Sequence, residues 1–180
     1  MSNNSLRFAN LSDRHPGVTP GISAGYGEAA CICLGRHHAS PAVVLLRDGG
    51  AESRATAKWD SPDERMKNGW ANEIDATEAG AYGLALAAAE LTRGMVAVRR
   101  AETKSGADYY LGSPGHPTDD LETSLRLEVS GVDKGNEAAI QARLRQKLDQ
   151  AANGNSNVPA IATVVGFAAL TIVTADVDSQ

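Results

Sequence analysis

Two carboxylates stand where the chain otherwise predicts buried strands. Asp108 lies in residues 107–111 and Glu128 in residues 125–130, and both segments have the short, apolar character of strands. A carboxylate in such a segment is costly to bury unless it is paired, hydrogen-bonded or bound to a metal. Two of them on consecutive strands therefore predict a shared acidic site.

The alternation of side chains along a strand predicts which candidate residues share a face. Neighbouring residues of a strand point to opposite faces, so Arg126, Glu128 and Ser130 share one face. We expect the acidic residues to converge on one side of a sheet edge. Glu78, at the start of an Ala-rich helix predicted over residues 78–92, is a third candidate acid.

The elements that must position these residues predict an α/β fold with a mixed sheet flanked by helices. Residues 1–24 are polar and rich in Pro and Gly, which predicts a flexible N-terminal arm. Residues 25–180 are expected to form a single domain. Its core, about residues 75–177, has the order helix, strand, strand, strand, helix, strand, and an N-terminal helix and hairpin extend it.

Local signals set the expected boundaries of several elements. Asp48-Gly49-Gly50 predicts a turn between two strands of a hairpin. Ser61 and Pro62 predict a helix start, Thr77 is expected to cap the Ala-rich helix, and residues 136–152 show helical spacing of apolar side chains. Residues 159–174 predict one or two buried strands.

Gly80 and Gly83 weaken the Ala-rich helix, so we expect them to allow close approach of a neighbouring backbone.

The formal net charge of −5 argues against a protein that holds nucleic acid by bulk charge. The longest apolar stretch, residues 158–173, is too short for a membrane span, and with no apolar leader the chain is interpreted as cytoplasmic.

The element order and the acids together resemble the restriction-endonuclease-like superfamily, the PD-(D/E)xK nucleases. In that family a helix carries an acid, a strand carries an Asp, and the next strand carries Glu-x-Lys. Glu78, Asp108 and Glu128 match the three acids. The resemblance implies that they ligate Mg²⁺ or Mn²⁺, and that a lysine helps to position the attacking water.

The chain departs from this pattern at the lysine, whose position holds Ser130. Lys104, just before the Asp108 strand, is one candidate for the missing cation, and Arg126 is another. The catalytic candidates are therefore Asp108, Glu128, Ser130 and Lys104.

The resemblance implies a metal-dependent nuclease-like hydrolase that acts on DNA or RNA. The acidic charge and the missing lysine favour weak unaided binding of nucleic acid and work with other protein subunits, as in a bacterial antiviral defence or mobile-element assembly. A homo-oligomer is also compatible with the sequence, and no membrane partner is expected. A purely structural role stays open as well: Asp108 could cap a turn or pair with Arg99 or Arg100, and Glu128 could pair with Arg126 or Lys104.

Three alternatives stay open. One is a catalytically inactive, nuclease-derived scaffold subunit, in which both carboxylates are held in salt bridges. Another is a small-molecule binding domain with a cavity beside the Gly-containing helix. For Arg143 and Lys147, which share a face of the late helix, a solvated surface is favoured over contact with a phosphate backbone.

Overall fold

The computed structural model describes residues 4–177 and gives four α-helices and seven β-strands. The helices are α1 (Pro20–His37), α2 (Glu64–Gly69), α3 (Glu73–Arg93) and α4 (Glu137–Ala152). The strands are β1 (Ala42–Asp48), β2 (Ala51–Ala57), β3 (Val96–Arg100), β4 (Tyr109–Gly112), β5 (Leu125–Val132), β6 (Ala160–Gly166) and β7 (Thr171–Asp176).

The strands form one mixed sheet in the order β2-β1-β7-β6-β5-β4-β3. Two neighbouring pairs are parallel, β1 with β7 and β5 with β6, and the other four are antiparallel. The α/β class with a mixed sheet is confirmed. The predicted strand segment 159–174 becomes two strands, β6 and β7, joined by a turn after Gly166.

Helices cover the two sheet faces unequally. One face carries α3, with α1 packed on it, over a large core that includes Leu127 and Val129 of β5. The other face carries α4, whose Ile140 and Leu144 pack on β6 and β7 in a smaller core. Because side chains alternate along a strand, β5 sends Glu128 towards the α4 side.

Two glycines of α3 allow its close packing on α1. A Cβ at Gly80 would lie 3.1 Å from the backbone of Ala29, and one at Gly83 would lie 3.2 Å from the Tyr26 carbonyl oxygen. The predicted close approach at these glycines is confirmed. Small residues at this contact let a mostly apolar helix lie deep in the core.

The expected flexible arm is wrong for the part of it that the structure describes. Its apolar side chains are buried in the main core: Leu6, Phe8, Leu11 and Val18. The Thr56 N–H donates to the Asn4 carbonyl oxygen at 2.8 Å. Scattered apolar residues without a period gave no signal for this packing, and residues 1–3 lie outside the described range.

Helix starts differ from expectation where a better cap stands nearby. The expected N-terminal helix is α1; it begins at Pro20, inside the segment expected to be a flexible arm, and Thr19 caps it. In α3 the Asn72 side chain accepts the N–H groups of Ile74 and Asp75, so the helix begins before Thr77. Asp63 rather than Ser61 caps α2. The helix expected over residues 136–152 is α4, which Asn136 caps.

Candidate functional site

Strand β5 extends beyond its partner β4. The antiparallel pairing runs from Tyr109 opposite Leu127 to Leu111 opposite Leu125, and the last backbone bond joins the Asp108 N–H to the Leu127 carbonyl. From Glu128 onward, β5 pairs only with β6 among the described residues. This unpaired edge of β5 is where the candidate acids meet.

Asp108 lies one residue before β4 and caps the open edge. Its Oδ2 accepts the N–H of Val129 at 2.8 Å, where a longer β4 would have supplied a backbone carbonyl. Its Oδ1 accepts the hydroxyl of Tyr82, on α3, at 2.7 Å. The Arg100 guanidinium also lies 3.6 Å from Oδ1. Two hydrogen bonds to different elements and this ion pair therefore fix the carboxylate, although it was expected inside the strand.

Glu128 projects to the other side, towards α4. The Lys147 ammonium donates to its Oε1 at 2.7 Å, and the two side chains are only 11% and 18% exposed. Burial raises the pKa of Glu128, and the neighbouring Asp108 carboxyl raises it further, while Lys147 opposes the rise. The Asp108 carboxyl thus adds to the cost of charging Glu128.

A cavity of about 580 Å³ opens beside this edge, between the first turns of α3, the end of β5 and the outer face of α4. Polar side chains dominate its wall. The lining residues are Glu73, Ile74, Thr77, Glu78, Tyr82, Asp108, Val129, Ser130, Gly131, Asp133, Arg143 and Lys147.

The predicted site residues do not all reach this cavity. Asp108, Ser130 and Glu78 line it, and Glu128 adjoins it through Lys147. Glu78 is exposed, and its Oε1 lies 3.4 Å from the Tyr82 hydroxyl. Among residues 4–177, no group of three or more His, Cys, Asp or Glu side chains is arranged to hold a metal ion.

The two cations expected near the acids lie elsewhere. Lys104 is exposed in the loop before Asp108, at φ 70°, and does not line the cavity. Arg126 is buried, and it donates to the backbone carbonyls of Ser105, Ala151 and Val158. Arg126 therefore braces loops, and its pKa is lowered by burial.

An aromatic group on the α1 side supports the Asp108 contact. The Arg100 guanidinium lies 4.6 Å from the Tyr82 ring centroid and 4.8 Å from that of Tyr109. It also donates to the Tyr82 hydroxyl at 3.1 Å. Tyr26 stacks on Tyr82 and bonds the Tyr109 hydroxyl at 2.6 Å. Burial, followed by the nearby Asp108, raises the pKa of Tyr82, which stays a donor at neutral pH.

Lys147, Tyr82 and Asp133 are the site residues that sequence reasoning missed. Lys147 follows the buried Leu144 by three positions, which puts it at the border of the inward face of α4. That spacing was a usable signal. Asp133, just past β5, pairs with His37 at 3.0 Å and Arg36 at 3.4 Å, and only the folded chain brings those residues together.

Comparison of the chain with protein-family models, with curated proteins and with solved structures gives no match. None of the helices within residues 4–177 combines the length and the apolar character that crossing a membrane requires.

Proposed function

We propose that this protein is a metal-dependent phosphodiester hydrolase of nucleic acid, related to the restriction-endonuclease-like superfamily, with Asp108, Glu128 and Lys147 as its catalytic residues. The observation that carries the proposal is the Lys147–Glu128 contact of 2.7 Å beside Asp108, at the wall of an open cavity. A helix thus supplies the cation that the motif position, Ser130, lacks.

The order of elements supports the same proposal. The acids and the lysine lie on the run α3, β3, β4, β5, α4, β6, which is the order that the family resemblance implies. Asp108 stands one residue before β4 and Glu128 in the middle of β5, and both reach the same strand edge.

The two carboxylates fit a Mg²⁺ or Mn²⁺ ion. Mg²⁺ keeps several waters and binds through one or two carboxylates together with substrate phosphates, so a three-residue cage is not needed. A pair of adjacent, partly buried carboxylates has unfavourable mutual charge, which a divalent cation would relieve. Asp108 and Glu128 would hold such an ion, with Glu78 as a more distant acid. The bound metal would polarise a phosphoryl oxygen and acidify water.

The remaining chemistry falls to the protein side chains. Hydrolysis joins a water oxygen to phosphorus and breaks one ester P–O bond, with transfer of a proton from the water to the departing oxygen. The Lys147 ammonium would orient the water and stabilise the negative charge on the phosphoryl oxygens. Tyr82 and the Val129 N–H would keep Asp108 in place, since both donate to its carboxylate.

The test is cleavage of plasmid, linear and single-stranded DNA and of RNA, with Mg²⁺ or Mn²⁺ and with EDTA. Wild type is compared with Lys147→Gln and with Lys104→Gln, which removes the same charge from an exposed residue outside the cavity. We expect metal-dependent cutting that Lys147→Gln lowers by about 100-fold, the scale of losing a positioned proton-handling group. Equal cutting by the two variants would remove Lys147 from the proposal.

A second candidate function is a catalytically inactive scaffold subunit that works with other proteins. The observation that favours it is that both carboxylates already have partners: Glu128 is paired with Lys147, and Asp108 has two hydrogen bonds and an ion pair with Arg100 at 3.6 Å. No cutting of any substrate by well-folded wild type, with either metal, would overturn the hydrolase and favour the scaffold. The net charge of −5 makes partner subunits part of either proposal, because unaided binding of nucleic acid would be weak.

A further inference from the structure

Arg143 is a cation without an acidic partner in a cavity that contains several acids. It projects from the exposed part of α4 into the cavity wall, and within residues 4–177 it forms no ion pair. Lys147 is the other lysine or arginine among the lining residues, and it is engaged with Glu128. Arg143 is therefore the cation that remains available to a ligand.

The acidic residues that line the cavity contact groups other than Arg143. Asp133 pairs through its Oδ1 with Arg36 and His37 from α1, at 3.4 and 3.0 Å, and its Oδ2 is buried with no hydrogen-bond partner among the described residues. Glu73 pairs with Lys134 at 3.6 Å, and Glu78 lies within reach of the Tyr82 hydroxyl. Arg143 is thus not needed as their counterion, although an arginine beside carboxylates would readily form a bidentate pair.

The position of Arg143 indicates what it would bind. It precedes Lys147 by one helical turn on the same face of α4, a rise of about 6 Å along the helix axis. One nucleotide step of an extended strand can span that distance. A guanidinium matches the oxygens of a phosphate in a bidentate way, and phosphate contacts fix the register of a nucleic acid on its protein.

We propose that Arg143 binds a backbone phosphate of the nucleic acid strand, next to the phosphodiester that faces Asp108, Glu128 and Lys147. The inference rests on the proposed function and adds a binding subsite to it. Arg143 positions the strand and takes no part in bond breaking. Its loss should therefore weaken substrate binding and raise KM, with kcat nearly unchanged, whereas loss of Lys147 lowers kcat.

The chain offers a matched control for this subsite. Arg145 lies two residues further along α4, is exposed, and does not line the cavity, so Arg145→Gln changes the net charge as Arg143→Gln does. Binding is measured by fluorescence anisotropy with labelled single-stranded and duplex DNA and single-stranded RNA, in the Glu128→Gln background so that no substrate is cut. Thermal melts check the folding of each variant.

We expect Arg143→Gln to weaken binding by about tenfold and to reduce the slope of log K against log salt by about 0.7–0.9, the value for one lost phosphate contact. Arg145→Gln should stay within about twofold of its background. Equal effects of the two variants, or no measurable binding of any nucleic acid, would overturn the subsite. Cleavage by the wild-type protein tests the proposed function separately. If wild type cuts but Arg143→Gln binds normally, the hydrolase stands and only the subsite is refuted.

Discussion

Two clusters in this protein each bring two carboxylates together with arginine or lysine, and one carboxyl in each shifts its pKa in the opposite direction to the other. In the first, Arg93 at the end of α3 holds Asp48 of β1 and Asp176 of β7. In the second, Lys147 holds Glu128, and the Arg100 guanidinium lies 3.6 Å from the neighbouring Asp108. The pKa of Asp176 is lowered, whereas the pKa of Glu128 is raised.

The difference comes from geometry and from exposure. The Arg93 guanidinium donates to Asp176 through two nitrogens, at 2.9 and 3.1 Å, and also donates to Asp48. A planar fork of donors satisfies both acids, and the Asp176 side chain keeps 60% exposure to water. In the second cluster each carboxyl has its own cation, and the single Lys147 ammonium does not offset the burial of Glu128, whose pKa stays raised. We call the first cluster the brace and the second the candidate site, because a perturbed carboxyl is what the proposed chemistry would use.

The largest expected effect is that of Glu128→Gln on cleavage. It should abolish metal-dependent cutting, by about 10³-fold or more, because several kcal/mol of charge stabilisation depend on this ligand. The free energy of unfolding, measured with urea, should change by less than about 1 kcal/mol, since removing a buried like charge offsets the lost ion pair.

The matching variant in the brace is Asp48→Asn, which should leave cutting unchanged. A destabilisation of several kcal/mol by Glu128→Gln would contradict the comparison. It would show that Lys147 and Glu128 also form a brace, and the scaffold would become the better proposal.

The next effect in size is that of Arg93→Gln on stability. The change leaves Asp48, whose side chain is 14% exposed, and Asp176 without their shared cation. We expect a loss of about 2 kcal/mol in the free energy of unfolding, the scale for stranding a partly buried charge, reduced by the exposure of Asp176. Urea unfolding measures it.

The control for Arg93→Gln is Arg54→Gln, an exposed residue of the edge strand β2 outside the ion pairs described. Its effect should lie within about 0.5 kcal/mol. Equal stability of the two variants would mean that the Arg93 cluster does not brace the fold.

The sequence predicted the proximity of the two candidate acids better than it predicted the contacts around them. Asp108 and Glu128 could be found because a carboxylate inside a short apolar segment is a local contradiction, visible without any structure. Their roles stay predictions, but the structure does bring them to one strand edge. The extent of α4 was also predicted closely, because apolar residues recur at helical spacing over residues 136–152.

What the sequence could not predict depends on contacts between distant residues. Arg93 and Asp176 are 83 positions apart, and nothing local connects them. Lys147 was assigned to a solvated face, because the sequence does not say which sheet strand α4 covers. His15, expected in a flexible arm, is fully buried and accepts the N–H of Ala97 at 2.9 Å, so the arm in fact seals the edge strand β3.

The smallest expected effect is the pH dependence of stability, in which the two clusters should act with opposite signs. The folded protein holds the Glu128 proton more tightly than the unfolded chain does, because its pKa is raised. Glu128 therefore stabilises the fold below its ordinary pKa, and this contribution is lost as the pH rises through the raised value. Asp176 has a lowered pKa, so its contribution is present above the ordinary value and is lost as the pH falls.

Urea unfolding between about pH 3 and pH 7, which brackets the ordinary carboxyl pKa values, separates the two contributions. Glu128→Gln should reduce the loss of unfolding free energy that occurs as the pH rises towards neutral. Asp176→Asn should reduce the loss that occurs as the pH falls, by a smaller amount because Asp176 is largely exposed. Lys147→Gln should move the loss of stability caused by ionisation of Glu128 to higher pH, since Lys147 lowers the pKa of Glu128. If Lys147→Gln left the decline where it is in wild type, the ammonium would not be tuning Glu128, and the contrast between brace and site would rest on burial alone.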